Sequence, residues 1–148
     1  MKNKGKHPKT KRIKKTKKRN EVIIATKVCG PMRSYVRGGG NQYGIKNITE
    51  ALEGSLKRLQ TDYLDLYQTH IFDPFTRQEE TLKALDDLVT QGKIRYIGCS
   101  NYMAFELVEG IHISRKYGWA EFATIQPEFS MFEREPCLLY TSPSPRDA

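Results

Sequence analysis

The sequence predicts an α/β fold in which parallel strands alternate with helices. Four short apolar runs of strand character are separated by stretches in which apolar residues recur at helical spacing. Each run ends on a polar side chain. Strands that alternate with helical patterns favour βαβ units, and in parallel sheets the functional groups gather where strands end and loops begin. The order of the elements therefore predicts a single rim that carries the functional site.

The four strands are predicted from apolar runs bounded by polar or turn residues. The first, over 21–28, is almost continuously apolar, as expected for a strand buried on both faces of a parallel sheet. Lys27 interrupts it near its end, and a lysine there must reach water or a partner, because burying an unpaired ammonium is costly. The remaining strands are 63–69 followed by His70, 94–99 followed by Ser100 and Asn101, and 122–125 followed by Gln126.

Three amphipathic helices are predicted from residues that recur at i, i+3 and i+4 intervals. The first two start with the spacing of a capping box, and the third has an apolar stripe that predicts its buried face. The caps are Asn47 with Glu50 and Thr76 with Glu79; the stripe is Ala104, Leu107, Val108 and Ile111; and the helices end near Leu59, Gly92 and Gly118.

Basic residues are concentrated at the start of the chain. The formal net charge is +8, but residues 1–19 hold 11 of the 25 Lys and Arg and no acidic residue. This segment has too few apolar residues to fold and is expected to be a disordered tail. Its charge could neutralise phosphates, but no aromatic is interleaved to stack on bases, which disfavours nucleic-acid binding. Residues 137–148 are expected to be a second tail, similar to translated adapter sequence at a truncated gene edge, which leaves 20–136 as the folded unit.

The cysteines and the hydropathy pattern limit the class of protein. Cys29, Cys99 and Cys137 are odd in number, far apart and in no metal-ligand spacing, which favours reduced thiols and disfavours a metal site. No apolar run approaches the roughly 18 residues of a membrane span, and the basic start lacks the apolar core of a secretory signal. The protein is therefore expected to be soluble and cytoplasmic.

Four segments, in this order and spacing, resemble the aldo-keto reductases. They are VIIATK at 22–27, LQTDYLDLYQTH at 59–70, ETLKALDDLVTQGK at 80–93 and RYIGCSN at 95–101. The ordered set is specific, and the resemblance runs from about Arg19 to Pro136. It implies a (β/α)8 TIM barrel, of which this chain would supply about four βα units, roughly strands three to six. It also implies the NADPH-dependent reduction of an aldehyde or ketone to an alcohol by hydride transfer.

The resemblance also implies roles for the polar residues at the strand ends. Lys27 matches the catalytic lysine that lowers the pKa of the family's tyrosine, since a cation beside a phenol favours the phenolate. His70 matches the catalytic histidine that orients and polarises the substrate carbonyl. Ser100, Asn101 and Gln126 match the trio that hydrogen-bonds the nicotinamide carboxamide of the cofactor.

Two departures from the family pattern bear on activity. The Asp-Thr-Ala-x-x-Tyr-Gly segment that carries the family's tyrosine and aspartate should precede Lys27, where the basic tail stands instead. Tyr43 lies after the lysine strand without the Asp-Thr-Ala lead, so it is not a substitute. The last strands and the adenosine-phosphate loops should follow Pro136.

The chain is therefore expected to be an inactive fragment of a reductase; the alternatives are a non-catalytic, cofactor-binding regulatory subunit of the same family and nucleic-acid binding through the tail. The carbonyl substrate, the choice of NADP over NAD and the oligomeric state do not follow from these residues.

Overall fold

The computed structural model describes residues 19–28 and 43–128. Four parallel strands form one sheet in the order β1-β2-β3-β4, which confirms the predicted α/β class. A short 3-10 helix, Arg19–Glu21, precedes the first strand. The strands are β1 (Ala25–Val28), β2 (Leu64–Thr69), β3 (Ile94–Ser100) and β4 (Phe122–Gln126), and the helices are α1 (Ile45–Leu59), α2 (Gln78–Thr90) and α3 (Ala104–Tyr117).

The hydrophobic core lies between the sheet and the helices. Side chains of β2 and β3 pack there against α1 and α2, and each buried Leu or Ile contributes about 1.5–3 kcal/mol. This layer fixes how far each strand extends along its axis relative to its neighbours, and therefore where the strands end. Residues in the layer that are less than 2% exposed include Ile48, Leu52, Leu64, Leu82, Leu85, Leu88, Ile94 and Ile97.

The first strand differs from the prediction that it is buried on both faces. It begins only at Ala25, and Val22 and Ile23 before it are 39% and 84% exposed. Only Ile24 and Val28 of this region enter the core. Val22 and Ile23 lie before the paired residues of β1, and β1 itself pairs with β2 alone among the described strands.

Two helices do not begin where the capping signals predicted. α1 starts at Ile45 after Gly44, so Asn47 lies inside its first turn. α2 starts after Arg77, and the hydroxyl of Thr76 donates to Asp73 Oδ2 at 2.6 Å. A side chain that is already engaged with a nearer partner is not free to cap a helix.

The third helix buries a different face from its apolar stripe. Its buried residues are Glu106, Gly110 and Ser114, whereas Val108 is 61% exposed. Gln78 Nε2, on α2, donates to the carbonyl of Glu106 at 2.9 Å, and a Cβ on Gly110 would lie 2.9 Å from Gln78 Oε1. The close approach of α2 and α3 thus requires small and polar residues at the contact, which an apolar period does not reveal.

Several predictions concern residues outside the described ranges. These are the two tails, apart from Arg19, and the thiols Cys29 and Cys137. Arg19, which the predicted boundary places in the tail, instead belongs to the folded unit, because its guanidinium binds Asp65 at 2.8 Å. Within 19–28 and 43–128, the helices are too short or too polar to cross a membrane.

Candidate active site at the rim of the sheet

The carboxyl ends of the four strands form one edge of the sheet, which we call the rim. The parallel register aligns these ends: Val28 pairs with Thr69, Thr69 with Cys99, and Ser100 with Gln126. The structure therefore brings together at the rim all five residues that the sequence predicted as a site. They are Lys27 in β1, His70 directly after β2, Ser100 at the end of β3, Asn101 directly after it, and Gln126 at the end of β4.

A series of hydrogen bonds joins Lys27 to the last strand. The half-buried Lys27 donates from Nζ to Ser100 Oγ at 3.2 Å. The Ser100 hydroxyl donates in turn to the carbonyl oxygen of Gln126 at 2.8 Å, and the same oxygen accepts from the Asn101 N–H at 3.2 Å. The Ser100 hydroxyl therefore has an acceptor for its proton and a donor for one of its lone pairs. Because Ser100 is 1% exposed, this hydroxyl has almost no contact with solvent.

The main chain of His70 is held on both sides. Its N–H lies 3.2 Å from the carbonyl oxygen of Val28 and 3.0 Å from the hydroxyl of Tyr43. Its carbonyl oxygen accepts from Asn101 Nδ2 at 3.2 Å. Asn101 has a φ of 54°, in the left-handed region that asparagine enters more readily than most residues. His70 is half-buried at the rim, on a backbone anchored to both neighbouring strands.

A second row of residues, which the sequence reasoning missed, lies beside Lys27. The register pairs Lys27 with Gln68, Gln68 with Gly98, and Gly98 with Thr124. Gln68 Nε2 donates to Thr124 Oγ1 at 3.4 Å, and a Cβ on Gly98 would stand only 2.4 Å from that oxygen. The available signal was spacing: Gln68 stands two residues before His70, and residues two apart in a strand share a face.

Lys27 is the cation of the rim. In the part of the chain that the structure describes, no carboxylate forms an ion pair with it. Burial raises the pKa of the Cys99 thiol to about 12, so this thiol stays neutral and is a poor nucleophile. Burial also raises the pKa of Tyr102. Neither group changes its protonation near neutral pH, so neither becomes an anion that could pair with Lys27.

Comparison with known proteins places these residues in a family. The model of the aldo/keto reductase family matches residues 10–140. The chain is 41% identical over 135 residues to Protein tas of Escherichia coli, covering 78% of this chain and 39% of that protein. It is 35% identical over 142 residues to aldo-keto reductase AFTS1 of Alternaria alternata, covering 79% and 38%. The chain therefore spans about two fifths of the length of these curated relatives.

A solved structure gives the same result for the fold. The thermostable aldo-keto reductase Tm1743, in complex with the inhibitor epalrestat, matches with a TM-score of 0.73 and 33% sequence identity. The match covers 88% of this chain and 42% of that chain, which confirms the prediction of a partial (β/α)8 barrel. With a family model that matches most of its length, the chain belongs to the aldo/keto reductase family.

Proposed function

We propose that the chain is the central portion of an NADPH-dependent reductase of aldehydes or ketones, and that the rim supplies part of its active site. The observation that carries the proposal is the arrangement of the rim. A lysine that no carboxylate among the described residues pairs with, an anchored histidine and two exposed side-chain amides lie at one edge of a sheet, in a chain of this oxidoreductase family. Each group has a separate task in the proposed reaction.

Lys27 and His70 would act on the reacting oxygen. A cation lowers the pKa of a nearby phenol by favouring its anion, so Lys27 would prepare a proton donor supplied by another part of the reductase. The His70 imidazole, on a backbone held from both sides, would orient the substrate carbonyl by hydrogen bonding to its oxygen. The substrate class is therefore a small molecule with an aldehyde or ketone group.

Asn101 and Gln126 fit the carboxamide of a nicotinamide cofactor. Both are exposed, and a side-chain amide offers donors and acceptors that complement another amide. Ser100 differs from them, because its hydroxyl is buried and committed to Lys27 and Gln126. Ser100 could donate to the carboxamide only after giving up its bond to Gln126, but its second lone pair is left to accept. The bound cofactor would supply the hydride that the carbonyl carbon receives.

The isolated 148-residue chain is expected to have no measurable turnover. Its sequence does not contain the Asp-Thr-Ala-x-x-Tyr-Gly segment of the family. Help from a general acid is typically worth about 10²–10⁴ in rate, and the family's proton donor is that segment's tyrosine. NADPH consumption by the purified chain that is abolished in His70→Ala would contradict this expectation.

The decisive experiment supplies the rest of the barrel. Residues 19–128 replace the matching segment of Protein tas, and NADPH consumption is followed with an aromatic aldehyde. We expect turnover by this chimeric protein and a loss of kcat/KM of about 10² or more in Lys27→Met and His70→Ala. His112→Ala, on the exposed side of α3, is the matched control and should keep the activity. Full activity in His70→Ala would overturn the proposed role of His70.

The chimeric protein tests the first alternative, and the 148-residue chain tests the second. NADPH that binds, as measured by cofactor fluorescence, but is not consumed with any aldehyde or ketone would favour the non-catalytic regulatory subunit. Binding of RNA or DNA by the 148-residue chain that disappears when residues 1–18 are deleted would favour nucleic-acid binding through the tail, since those residues hold the basic run.

A further inference from the structure

We propose that Tyr43 is a positioning residue for His70, a role that rests on the proposed function of His70. Tyr43 precedes α1 by two residues and is 1% exposed, with its ring packed in the hydrophobic core. The sequence excluded it as a replacement for the family's catalytic tyrosine. Its contacts indicate a different task, at the main chain on which His70 stands.

The hydroxyl of Tyr43 contacts two consecutive residues at the end of β2. It donates to the carbonyl oxygen of Ile71 at 2.7 Å. It accepts from the N–H of His70 at 3.0 Å and from the N–H of Ile71 at 3.2 Å. The His70 N–H is also the last donor from β2 to β1, at 3.2 Å from the Val28 carbonyl. The phenol oxygen thus lies at the carboxyl end of the β1–β2 pairing and accepts from the two main-chain N–H groups that follow β2.

The main chain of Tyr43 contacts the far end of the loop that joins His70 to α2. Its N–H lies 3.3 Å from Oδ2 of Asp73, which is 5% exposed. The carboxylate of Asp73 also accepts from the Phe75 N–H at 3.0 Å and from the Thr76 hydroxyl at 2.6 Å. One residue therefore holds the loop both where it leaves His70 and where it turns towards α2.

These contacts hold both peptide groups that flank His70: the His70 N–H belongs to the peptide before it and the Ile71 N–H to the peptide after it. A ring buried in the core cannot follow the loop, so its hydroxyl acts as a fixed point for these two peptides. If either peptide turns, the imidazole moves with it, and a displacement of about 1 Å at a catalytic group costs on the order of 10²-fold in rate. The Asn101 amide donates to the carbonyl of His70 from the opposite side, but this hydrogen bond is exposed, so water competes for both groups.

The test compares three versions of the 148-residue chain by amide hydrogen exchange and by the imidazole resonances of His70. The versions are the unmodified chain, Tyr43→Phe and the control Tyr63→Phe. The control also removes a phenol hydroxyl, but at the opposite end of β2, where Tyr63 contacts Asn20. In Tyr43→Phe we expect protection of the His70 and Ile71 amides to fall at least about tenfold, with shifted imidazole resonances and the Leu66 amide unchanged within about twofold. Tyr63→Phe should leave all of these signals of His70 and Ile71 as they are.

Two results would overturn the proposal. One is unchanged protection at His70 and Ile71 in Tyr43→Phe; the other is an equal loss along all of β2, which indicates general destabilisation.

If this variant does not fold, the unmodified chain decides: the ring carbon that bears the Tyr43 hydroxyl should give two signals in mixed H2O and D2O, because a hydroxyl proton held by a buried carbonyl exchanges slowly. A single averaged signal would overturn the proposal. None of these readouts depends on turnover, so their failure leaves the reductase proposal standing, whereas an active His70→Ala chimeric protein removes that proposal without changing the contacts of Tyr43.

Discussion

The two ends of the sheet use polar side chains in opposite ways. At the amino ends, Arg19, Tyr63, Asp65 and Arg95 form a group that we call the basal cluster. The carboxylate of Asp65, 8% exposed, lies 2.8 Å from Arg19 Nη2 and 3.3 Å from Arg95 Nη1, and it accepts from the Ile24 N–H at 2.9 Å. The guanidinium carbons of both arginines lie over the Tyr63 ring, at 3.8 and 4.4 Å from its centroid. Every charge in this cluster has a partner within the cluster.

The rim lacks this mutual neutralisation. Lys27 contacts a neutral hydroxyl and, among the residues at 19–28 and 43–128, no carboxylate. A charge that is already paired adds stability but has little left for a ligand, whereas an unpaired charge adds little stability and keeps its field for an incoming group. The comparison therefore indicates that the basal cluster stabilises the fold and that the rim is available for chemistry.

The largest effect on stability is expected from Asp65→Ala in the basal cluster. The change removes the acceptor of the Ile24 N–H and leaves Arg19 and Arg95 without their carboxylate, so the free energy of unfolding should fall by about 2–4 kcal/mol. Urea unfolding followed by circular dichroism measures it. Asp62→Ala, exposed and three residues earlier, is the control and should change the value by less than about 0.5 kcal/mol. Equal effects of the two variants would remove the distinction between the two ends.

Gly98→Ala tests the packing beneath the rim. The new Cβ would lie 2.4 Å from Thr124 Oγ1 and 3.0 Å from the Thr124 carbonyl oxygen, so β3 and β4 must separate, at a cost of about 1–3 kcal/mol in unfolding free energy. The control is Gly54→Ala in α1, where the nearest atom belongs to the flexible side chain of Arg58. That control should be neutral or stabilising by up to about 1 kcal/mol, because alanine favours helix. A Gly98→Ala protein as stable as the Gly54→Ala protein would contradict the described contact.

Acid should weaken the basal cluster through Asp65. Burial opposes ionisation of this carboxyl, but the Ile24 N–H, Arg19 and Arg95 outweigh burial and hold its pKa below the ordinary value of 3.8. A pKa that is lower in the folded state gives stability that is present above the unfolded pKa and is lost as pH falls through the folded pKa. We expect the unfolding free energy to decline below about pH 4, and to decline less steeply in Asp65→Asn. The control Asp62→Asn should follow the unmodified chain; a decline that Asp65→Asn leaves unaltered would place its origin elsewhere.

The smallest effect on stability is expected at the rim itself. Lys27→Met removes one hydrogen bond from a half-buried ammonium to a neutral hydroxyl, so the unfolding free energy should change by no more than about 0.5–1 kcal/mol. Lys46→Met, exposed on α1, is the matched control and should change it by less than about 0.5 kcal/mol. A loss in Lys27→Met as large as that in Asp65→Ala would show that the rim, like the basal cluster, is built for stability.

The sequence predicted the rim better than it predicted the surroundings of the rim. Strand ends can be read from where an apolar run meets a polar residue, and His70 and Gln126 lie where that rule places them. Burial depends on neighbours that a local pattern does not contain. Ile23 is 84% exposed because the paired strand begins only after it, and Gly110 is buried because a glutamine from α2 lies against it.

Contacts between distant residues were the least predictable part of the site. The bond from Lys27 to Ser100 spans 73 positions, and nothing in either local sequence specifies the other. Tyr43 was recognised as a tyrosine in the wrong place for catalysis, but its approach to His70 required the path of the chain between them. The pairing of parallel strands determines these contacts, and parallel pairing needs the whole connection between two strands to be known.

The carbonyl of Gln126 has a consequence for how this region tolerates change in length. It accepts hydrogen bonds from the Ser100 hydroxyl and the Asn101 N–H. The pairing of β3 with β4 that brings it there includes a register shift between Ile97 and Gly98. Side chains alternate along a strand, so adding or deleting one residue just before β4 would present a neighbouring carbonyl to Ser100 and turn the Gln126 amide to the opposite face. Over 119–121, chain length is therefore constrained by the register of β4.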